Sequence, residues 1–169
     1  PVEPLYTLRD AEKILQQLRP VTYDEAVAVA PGVPARFVEA GHMLGSASIQ
    51  LLVEENGGTR RVVFSGDIGP KGAPILRDSE PFAQADLVFL ESTYGDRDHQ
   101  PFAKTVDEFI AVLRQAVARR SKVLVPTFAV GRAQLLTALL AGIFRQKLLA
   151  PFPVFLDSPM AIEASHIYD

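Results

Sequence analysis

Hydrophobic and polar positions alternate in short runs in the first half of the chain, a pattern typical of β-strands with one buried face. Ala47, Ile49, Leu51 and Val53 share one face of such a run, and the residues Asn-Gly-Gly separate it from the next run, RRVVF. Because a short glycine-containing turn between two such runs is typical of a β-hairpin, we predict a hairpin here. The preceding segment FVEAG predicts a further strand, and His42 lies in the loop between them.

An amphipathic helix is predicted near the start of the sequence. Thr7 followed by Asp10 resembles a capping box, with Asp in place of the usual Glu or Gln. Apolar residues then recur at helical spacing until Pro20. These residues are Leu8, Ala11, Ile14, Leu15 and Leu18.

The pattern changes in the second half. The segments DLVFLEST, KVLVPTF and PVFLDS predict strands, and two helical segments lie between them, the first opening at Thr105 with Glu108 three residues on. Alternating strands and helices predict a parallel sheet with crossover helices. We therefore predict an α/β fold with two domains, covering residues 1–100 and 101–169. The final segment, EASHIYD, predicts a helix.

Composition narrows the classes of protein. With 48% hydrophobic and 22% charged residues the chain should be globular, and its net charge of −3 restricts nucleic-acid binding to a local site. Cysteine is absent, so histidine and carboxylates remain as strong metal ligands. No apolar run approaches the roughly 18 residues of a membrane helix, and no secretion signal is found. We expect a cytoplasmic protein without membrane contact, cut at both ends.

Three predicted strands end in residues suited to metal or phosphate chemistry. His42 follows the first, Asp67 lies after VVF in FSGDIG, and Glu91 ends VFLE. Taken singly, His42 is explained as a loop histidine bonded to the backbone and Asp67 as a turn aspartate. Their separations of 25 and 24 residues allow all three to meet at one edge of a sheet.

The residues after Glu91 are candidates for substrate binding. Ser92, Thr93 and Tyr94 offer hydroxyl and amide groups to phosphate oxygens. Arg132 begins a predicted helix after a glycine, where a helix N-terminus favours an anion. Contact with a phosphate anion and an ordinary solvated or ion-paired arginine are equally weighted explanations of Arg132.

Five motifs occur in an order that resembles the middle of β-CASP proteins, which are metallo-β-lactamase-fold nucleases related to the cleavage and polyadenylation endonuclease. They are AGHMLGSAS, FSGDIG, ESTYGDRDH, PTFAVGRAQ and LDSPMA. The resemblance covers nearly the whole chain. It implies the C-terminal part of a metallo-β-lactamase αββα sandwich over residues 1–100. It also implies the start of a parallel-sheet β-CASP domain over residues 101–169.

The resemblance also implies roles for single residues. His42 resembles a zinc ligand, and Asp67 resembles the aspartate that bridges two zinc ions. Glu91 resembles an acid that orients a catalytic histidine without binding metal. By the same comparison His99 is a polar rim residue or a structural residue rather than a zinc ligand. His166 lies in a predicted helix with no partner visible in the sequence, so we interpret it as structural.

The family's principal zinc motif, HxHxDH, does not occur among these 169 residues, which contain three histidines. The resemblance implies a parent protein that is a zinc-dependent phosphodiesterase cleaving RNA. Because the motif is missing from these residues, we expect the segment to be inactive alone. The alternative is an inactive scaffold subunit that binds RNA or a nuclease partner. A small-molecule metallohydrolase is disfavoured because the motifs continue beyond residue 91. A cut through two domains should also expose apolar faces, so we expect self-association into a homo-oligomer.

Overall fold

The computed structural model describes residues 4–168. Helix α1, Leu8–Leu15, begins at the predicted capping residues: the Thr7 N–H donates to Asp10 Oδ2 at 3.0 Å. The helix ends earlier than the hydrophobic pattern predicts, and each of its side chains is at least partly exposed. The amphipathic face of α1 is therefore formed as predicted but is not packed into the core.

The main element is a five-stranded sheet with the spatial order β1-β2-β3-β4-β5. The first four strands form an antiparallel meander, and β5 pairs with β4 in parallel. The predicted mixed α/β class is confirmed. The strands are Ala26–Ala30 (β1), Val33–Glu39 (β2), Ala47–Glu55 (β3), Gly58–Phe64 (β4) and Leu87–Phe89 (β5).

The predicted hairpin is confirmed as β3 and β4. Asn56 and Gly57 form its turn, with φ of 50° and 78°, the left-handed conformations that such a turn requires. Strand β1 was not predicted. Its sequence, AVAVA, alternates two apolar residue types and so lacks the polar face on which a period-two pattern depends.

One face of the sheet is covered by the segment between β4 and β5. Gln50 Nε2 donates to the Gln84 carbonyl at 2.9 Å, and the Arg36 guanidinium lies over the Phe82 ring. Val63 on this face is buried. The segment between β4 and β5 therefore packs on this side of the sheet, and these contacts hold its last residues just before β5.

The opposite face carries a row of apolar residues across four strands. Phe37, Ile49, Phe64 and Phe89 are consecutive partners in the ladder, and the last two rings stack at 4.8 Å. Phe64 and Phe89 remain 39% and 51% exposed. Apolar surface of this kind favours association, and self-association of the chain stays a prediction.

Three helices form the second half: α2 (Phe102–Ala118), α3 (Arg132–Arg145) and α4 (Pro159–Tyr168). Helices α2 and α3 share a small core of Ile110, Leu113 and Ile143. None of the helices in residues 4–168 has the length and apolar character needed to cross a bilayer.

The predicted start of α2 at Thr105 is wrong by three residues. The helix begins at Phe102, after Pro101, whose fixed φ suits entry into a helix. Thr105 and Glu108 instead hold the side-chain amide of Gln100, at 3.2 and 2.9 Å. The pair that resembled a cap therefore binds the chain just before the helix.

Two predicted strands, KVLVPTF and PVFLDS, are not strands in the described residues, where the last strand is β5. A strand exists only where a neighbour completes its hydrogen-bonded ladder, and no segment in residues 4–168 pairs with either of them. Leu124 and Phe155 in these segments are 91% and 87% exposed. The division into two domains stays a prediction.

Candidate active site

The three strand-end residues predicted to meet do lie at one edge of the sheet. Strand β3 is antiparallel to both β2 and β4, and β5 is parallel to β4, so the carboxyl ends of β2, β4 and β5 share that edge. His42 follows β2, Asp67 follows β4 and Glu91 follows β5. His42 Nε2 and Asp67 Oδ2 are 3.7 Å apart, and both side chains reach solvent.

Glu91 holds the loop that carries Asp67. Its Oε1 accepts the Ile68 N–H at 2.7 Å, and its own N–H donates to Ser65 Oγ at 2.9 Å. The hydrogen bond from Ile68 is the main cause that lowers the pKa of Glu91, and the Thr93 hydroxyl and the nearby His42 act in the same direction. Glu91 is therefore an ionised anchor next to Asp67.

Glycine is required where the loops after β2 and β4 cross. The Gly69 N–H donates to the Ala40 carbonyl at 2.8 Å, and a Cβ on Gly69 would lie 1.7 Å from the Gly41 carbonyl oxygen. Gly41 has a φ of +68°, and a Cβ there would lie 2.8 Å from the Arg77 carbonyl oxygen. The close crossing of these backbones brings His42 to Asp67, and it leaves no room for side chains.

The backbone of the His42 loop, residues 41–46, is held by side chains. Its first four N–H groups, of residues 41–44, all donate to side-chain oxygens. The acceptors are Glu39 Oε1 at 2.8 Å for residue 41, Ser46 Oγ at 3.1 and 3.2 Å for residues 42 and 43, and the Tyr168 hydroxyl at 3.0 Å for residue 44. The loop is therefore fixed even though the His42 side chain is partly exposed.

A fifth contact supports the same loop from the side of the sheet. The Tyr23 hydroxyl donates to the Ser46 carbonyl at 2.7 Å. Burial is the main cause that raises the pKa of Tyr23, followed by the negative charge of Glu39. Sequence reasoning missed Tyr23, Glu39 and Tyr168 because none lies in a motif that predicts chemistry; only the small residues of GSAS indicated a tight loop.

A shallow depression of about 620 Å³ opens between the ends of β4 and β5. Asp67 and Glu91 lie on its polar side, and the stacked rings of Phe64 and Phe89 lie on its apolar side. A small polar group can therefore approach both carboxylates from solvent.

The donor set suits zinc in part. Histidine nitrogen and carboxylate oxygen are both zinc ligands, and a zinc site takes about four ligands. Across residues 4–168, no three histidine, aspartate or glutamate side chains form a group able to hold a metal ion. His42 and Asp67 therefore fit as two ligands of a site that needs further donors, and their metal-binding role stays a prediction.

The predicted substrate-binding residues Ser92, Thr93 and Tyr94 form an exposed turn beside this edge. The Thr93 hydroxyl contributes to the lowered pKa of the neighbouring Glu91 carboxyl. The Tyr94 ring packs edge-on against His99 at 4.2 Å, and Arg97 lies over the same ring. His99 is thus a packing partner of Tyr94. Phosphate binding by the turn stays a prediction.

Arg132 lies at the start of α3, in a different depression from Asp67. This second depression, also about 620 Å³, is lined by Thr127, Phe128 and Arg132 among others. Among the described residues no carboxylate lies within ion-pair distance of Arg132. Phosphate binding by Arg132 stays a prediction. His166 lies exposed in the last turn of α4.

The start of α3 nevertheless touches the His42 loop. Gly131 caps the helix with a φ of +80°, and a Cβ on it would lie 3.4 Å from Met43 Cβ and 3.9 Å from the Tyr168 hydroxyl. Arg132 is therefore one residue from a contact with the neighbour of His42.

Comparison with curated proteins gives relatives over nearly the whole chain. A protein of Thermus thermophilus named a ribonuclease is 39% identical over 98% of the chain, and an RNase J-like protein of Methanocaldococcus jannaschii is 28% identical over 96%. A protein of Cenarchaeum symbiosum named transcription termination factor FttA is 34% identical over 98%. The chain is a relative of nuclease-named proteins.

This relationship agrees with the resemblance carried by the five motifs, and no protein-family model matches the chain. The chain spans 37%, 38% and 26% of the length of these three relatives. The similarity therefore concerns about a quarter to two fifths of each relative.

Proposed function

We propose that this chain is part of a zinc-dependent phosphodiesterase that cleaves RNA. The observation that carries the proposal is the approach of His42 Nε2 and Asp67 Oδ2 to 3.7 Å at one sheet edge. Glu91 anchors the adjoining loop through the Ile68 amide. Relatives named ribonuclease and RNase J-like protein support RNA as the substrate. A cytoplasmic location belongs to the same proposal.

Two residues of this chain would hold zinc in the proposed enzyme, and the further ligands would come from outside the described residues 4–168. Bound zinc supplies a Lewis acid and a water of lowered pKa. His42 and Asp67 would hold the metal, and Asp67 would be the ligand common to both ions of a two-ion site. Glu91 keeps Asp67 in place and, as the resemblance implies, orients a histidine that protonates the leaving group. Arg132 binds a phosphate of the RNA.

Glu91→Gln in the full-length protein is expected to keep its zinc and lose about tenfold in cleavage rate. Glutamine still accepts the Ile68 N–H, but a hydrogen bond to a neutral acceptor is about half as strong as one to a carboxylate. Single-turnover cleavage and zinc content by mass spectrometry test this. Full loss of zinc from the variant would place Glu91 among the ligands and contradict its proposed role.

The same variant should change acid stability. Because the folded pKa of Glu91 is lowered, its charged form contributes stability that is present above the unfolded pKa and lost as pH falls through the folded pKa. The difference in unfolding free energy between wild type and Glu91→Gln should therefore shrink below the ordinary range of glutamic acid. Urea titrations from neutral to acid pH measure it.

Arg132→Ala is expected to weaken RNA binding and to reduce the slope of log affinity against log salt by about one. Arg132→Lys, which keeps the charge, should retain most of the affinity. Arg145→Ala, at the other end of α3, removes the same charge and serves as the matched control. If Arg132→Ala and wild type have the same RNA affinity and the same salt slope, Arg132 does not bind a phosphate and is an ordinary solvated arginine.

The scaffold alternative has one observation in its favour. The relative from Cenarchaeum symbiosum is named a transcription termination factor, and that name states no cleavage. The zinc-loaded full-length protein decides between the two functions. RNA cleavage supports the enzyme, whereas RNA binding without cleavage supports a scaffold subunit.

A further inference from the structure

We propose that Tyr168 is a positioning residue that keeps the His42 loop in register with the start of α3. The proposal rests on the proposed function, in which His42 binds metal and Arg132 binds phosphate. Of the side chains that bind the amides of residues 41–44, Glu39 and Ser46 are local, whereas Tyr168 is 124 residues from Leu44. Tyr168 alone of these acceptors connects the loop to the helical half of the chain.

The position of Tyr168 is set by α3 through a buried contact. The Gln134 side chain is 4% exposed and donates from Nε2 to the Ala161 carbonyl at 3.2 Å and to Ser165 Oγ at 3.1 Å. These bonds join α3 to α4 within two turns of Tyr168. A shift of α3 therefore carries Tyr168 with it.

The start of α3 also lies close to the His42 loop at Gly131 and Met43. A Cβ on Gly131 would lie 3.4 Å from Met43 Cβ, so the start of α3 lies beside Met43. Met43 neighbours His42 in sequence, and Gly131 neighbours Arg132. The junction of Gly131, Met43 and Tyr168 thus lies one residue from each proposed functional side chain.

The hydroxyl of Tyr168 contributes alignment more than stability. Leu44 is 52% exposed, so water can replace the lost acceptor at its N–H. Removal of the hydroxyl should therefore leave the fold intact while allowing the loop and α3 to move apart. In catalysis, small displacements of positioned groups reduce the rate strongly.

Tyr168→Phe in the full-length, zinc-loaded protein tests the proposal, with single-stranded oligouridylate as the substrate. Amide hydrogen exchange of residues 41–46 should become faster. The kcat should fall about five- to tenfold with KM unchanged, because the proposed role of the hydroxyl is to align the loop through the Leu44 amide rather than to bind RNA. Zinc content and Tm should stay at wild-type values. Tyr6→Phe is the matched control, since it removes the same hydroxyl from a residue that is 73% exposed and has no role in the proposed site.

Wild-type exchange or wild-type kcat in a folded Tyr168→Phe would overturn the proposal, and so would an unchanged kcat with a raised KM. If the variant does not fold, Met43→Ala, which opens the same junction without removing a hydrogen bond, must show the fall in kcat at constant KM or the proposal fails.

Failure of the proposed function has a separate signature. If the wild-type protein binds but does not cleave oligouridylate, the enzyme proposal is wrong. The alignment of the His42 loop with α3 by Tyr168 is then tested by amide hydrogen exchange alone. Oligouridylate bound to wild type should slow exchange of residues 41–46, and Tyr168→Phe should abolish that protection. If bound oligouridylate protects the amides of residues 41–46 equally in both proteins, the proposed role of Tyr168 is wrong.

Discussion

Asp67→Asn is expected to lower RNA cleavage by the full-length protein by orders of magnitude while leaving RNA affinity nearly unchanged. The carboxylate faces His42 at the sheet edge and is the proposed bridge between metal ions. An amide is a much weaker zinc ligand than a carboxylate, so metal binding and the charge of the attacking water change together. RNA affinity depends on phosphate contacts elsewhere, such as Arg132.

Zinc content, RNA affinity and single-turnover cleavage of the same preparation measure this separation. Asp96→Asn is the matched control, because Asp96 is an exposed acid near the same rim whose partner is its neighbour Arg97. Full zinc and full rate in Asp67→Asn would show that the bridge assignment is wrong and would favour the scaffold subunit.

Gly69→Ala is expected to destabilise the fold by about 3 kcal/mol, a large effect for one methyl group. A Cβ on Gly69 would lie 1.7 Å from the Gly41 carbonyl oxygen and 2.7 Å from the His42 N. These are backbone atoms, so the loops themselves must separate. The free energy of unfolding in urea measures the loss, and zinc binding at His42 should weaken with it.

Gly72→Ala is the control that separates the steric clash at Gly69 from the cost of placing alanine at a positive φ. Gly72 has a φ of +72° and open space around the Cβ position, so alanine there should cost only about 1 kcal/mol. An equal loss in the two variants would mean that a methyl group at position 69 costs no more than backbone strain, and that the loop crossing has room for a side chain.

The sequence predicts the placement of His42, Asp67 and Glu91 at one end of the sheet better than it predicts the second half of the fold. His42, Asp67 and Glu91 each follow an apolar run, and the ends of β2, β4 and β5 share one edge because of strand direction alone. The apolar runs before these three residues therefore suffice to predict that they lie at one end of the sheet. The ordered motifs added the family resemblance, with which the relationship to nuclease-named proteins agrees.

Properties that depend on distant partners were not predictable in this way. The segments KVLVPTF and PVFLDS have strand-like sequences, but strand formation requires a neighbour, and the described residues contain none. The bond from Leu44 to Tyr168 joins residues 124 apart and leaves no mark in either local pattern. Strand β1 was missed because its alternation is between two apolar residue types.

The sheet topology also predicts an order of assembly. Strands β1 to β4 pair with their sequence neighbours through short turns, whereas β5 pairs in parallel and only after the intervening residues 65–86 have crossed over. Local antiparallel pairings form faster than parallel pairings that close a longer loop. The meander should therefore fold first and bring His42 close to Asp67, and docking of β5 should complete the edge by adding Glu91 as a late step in folding.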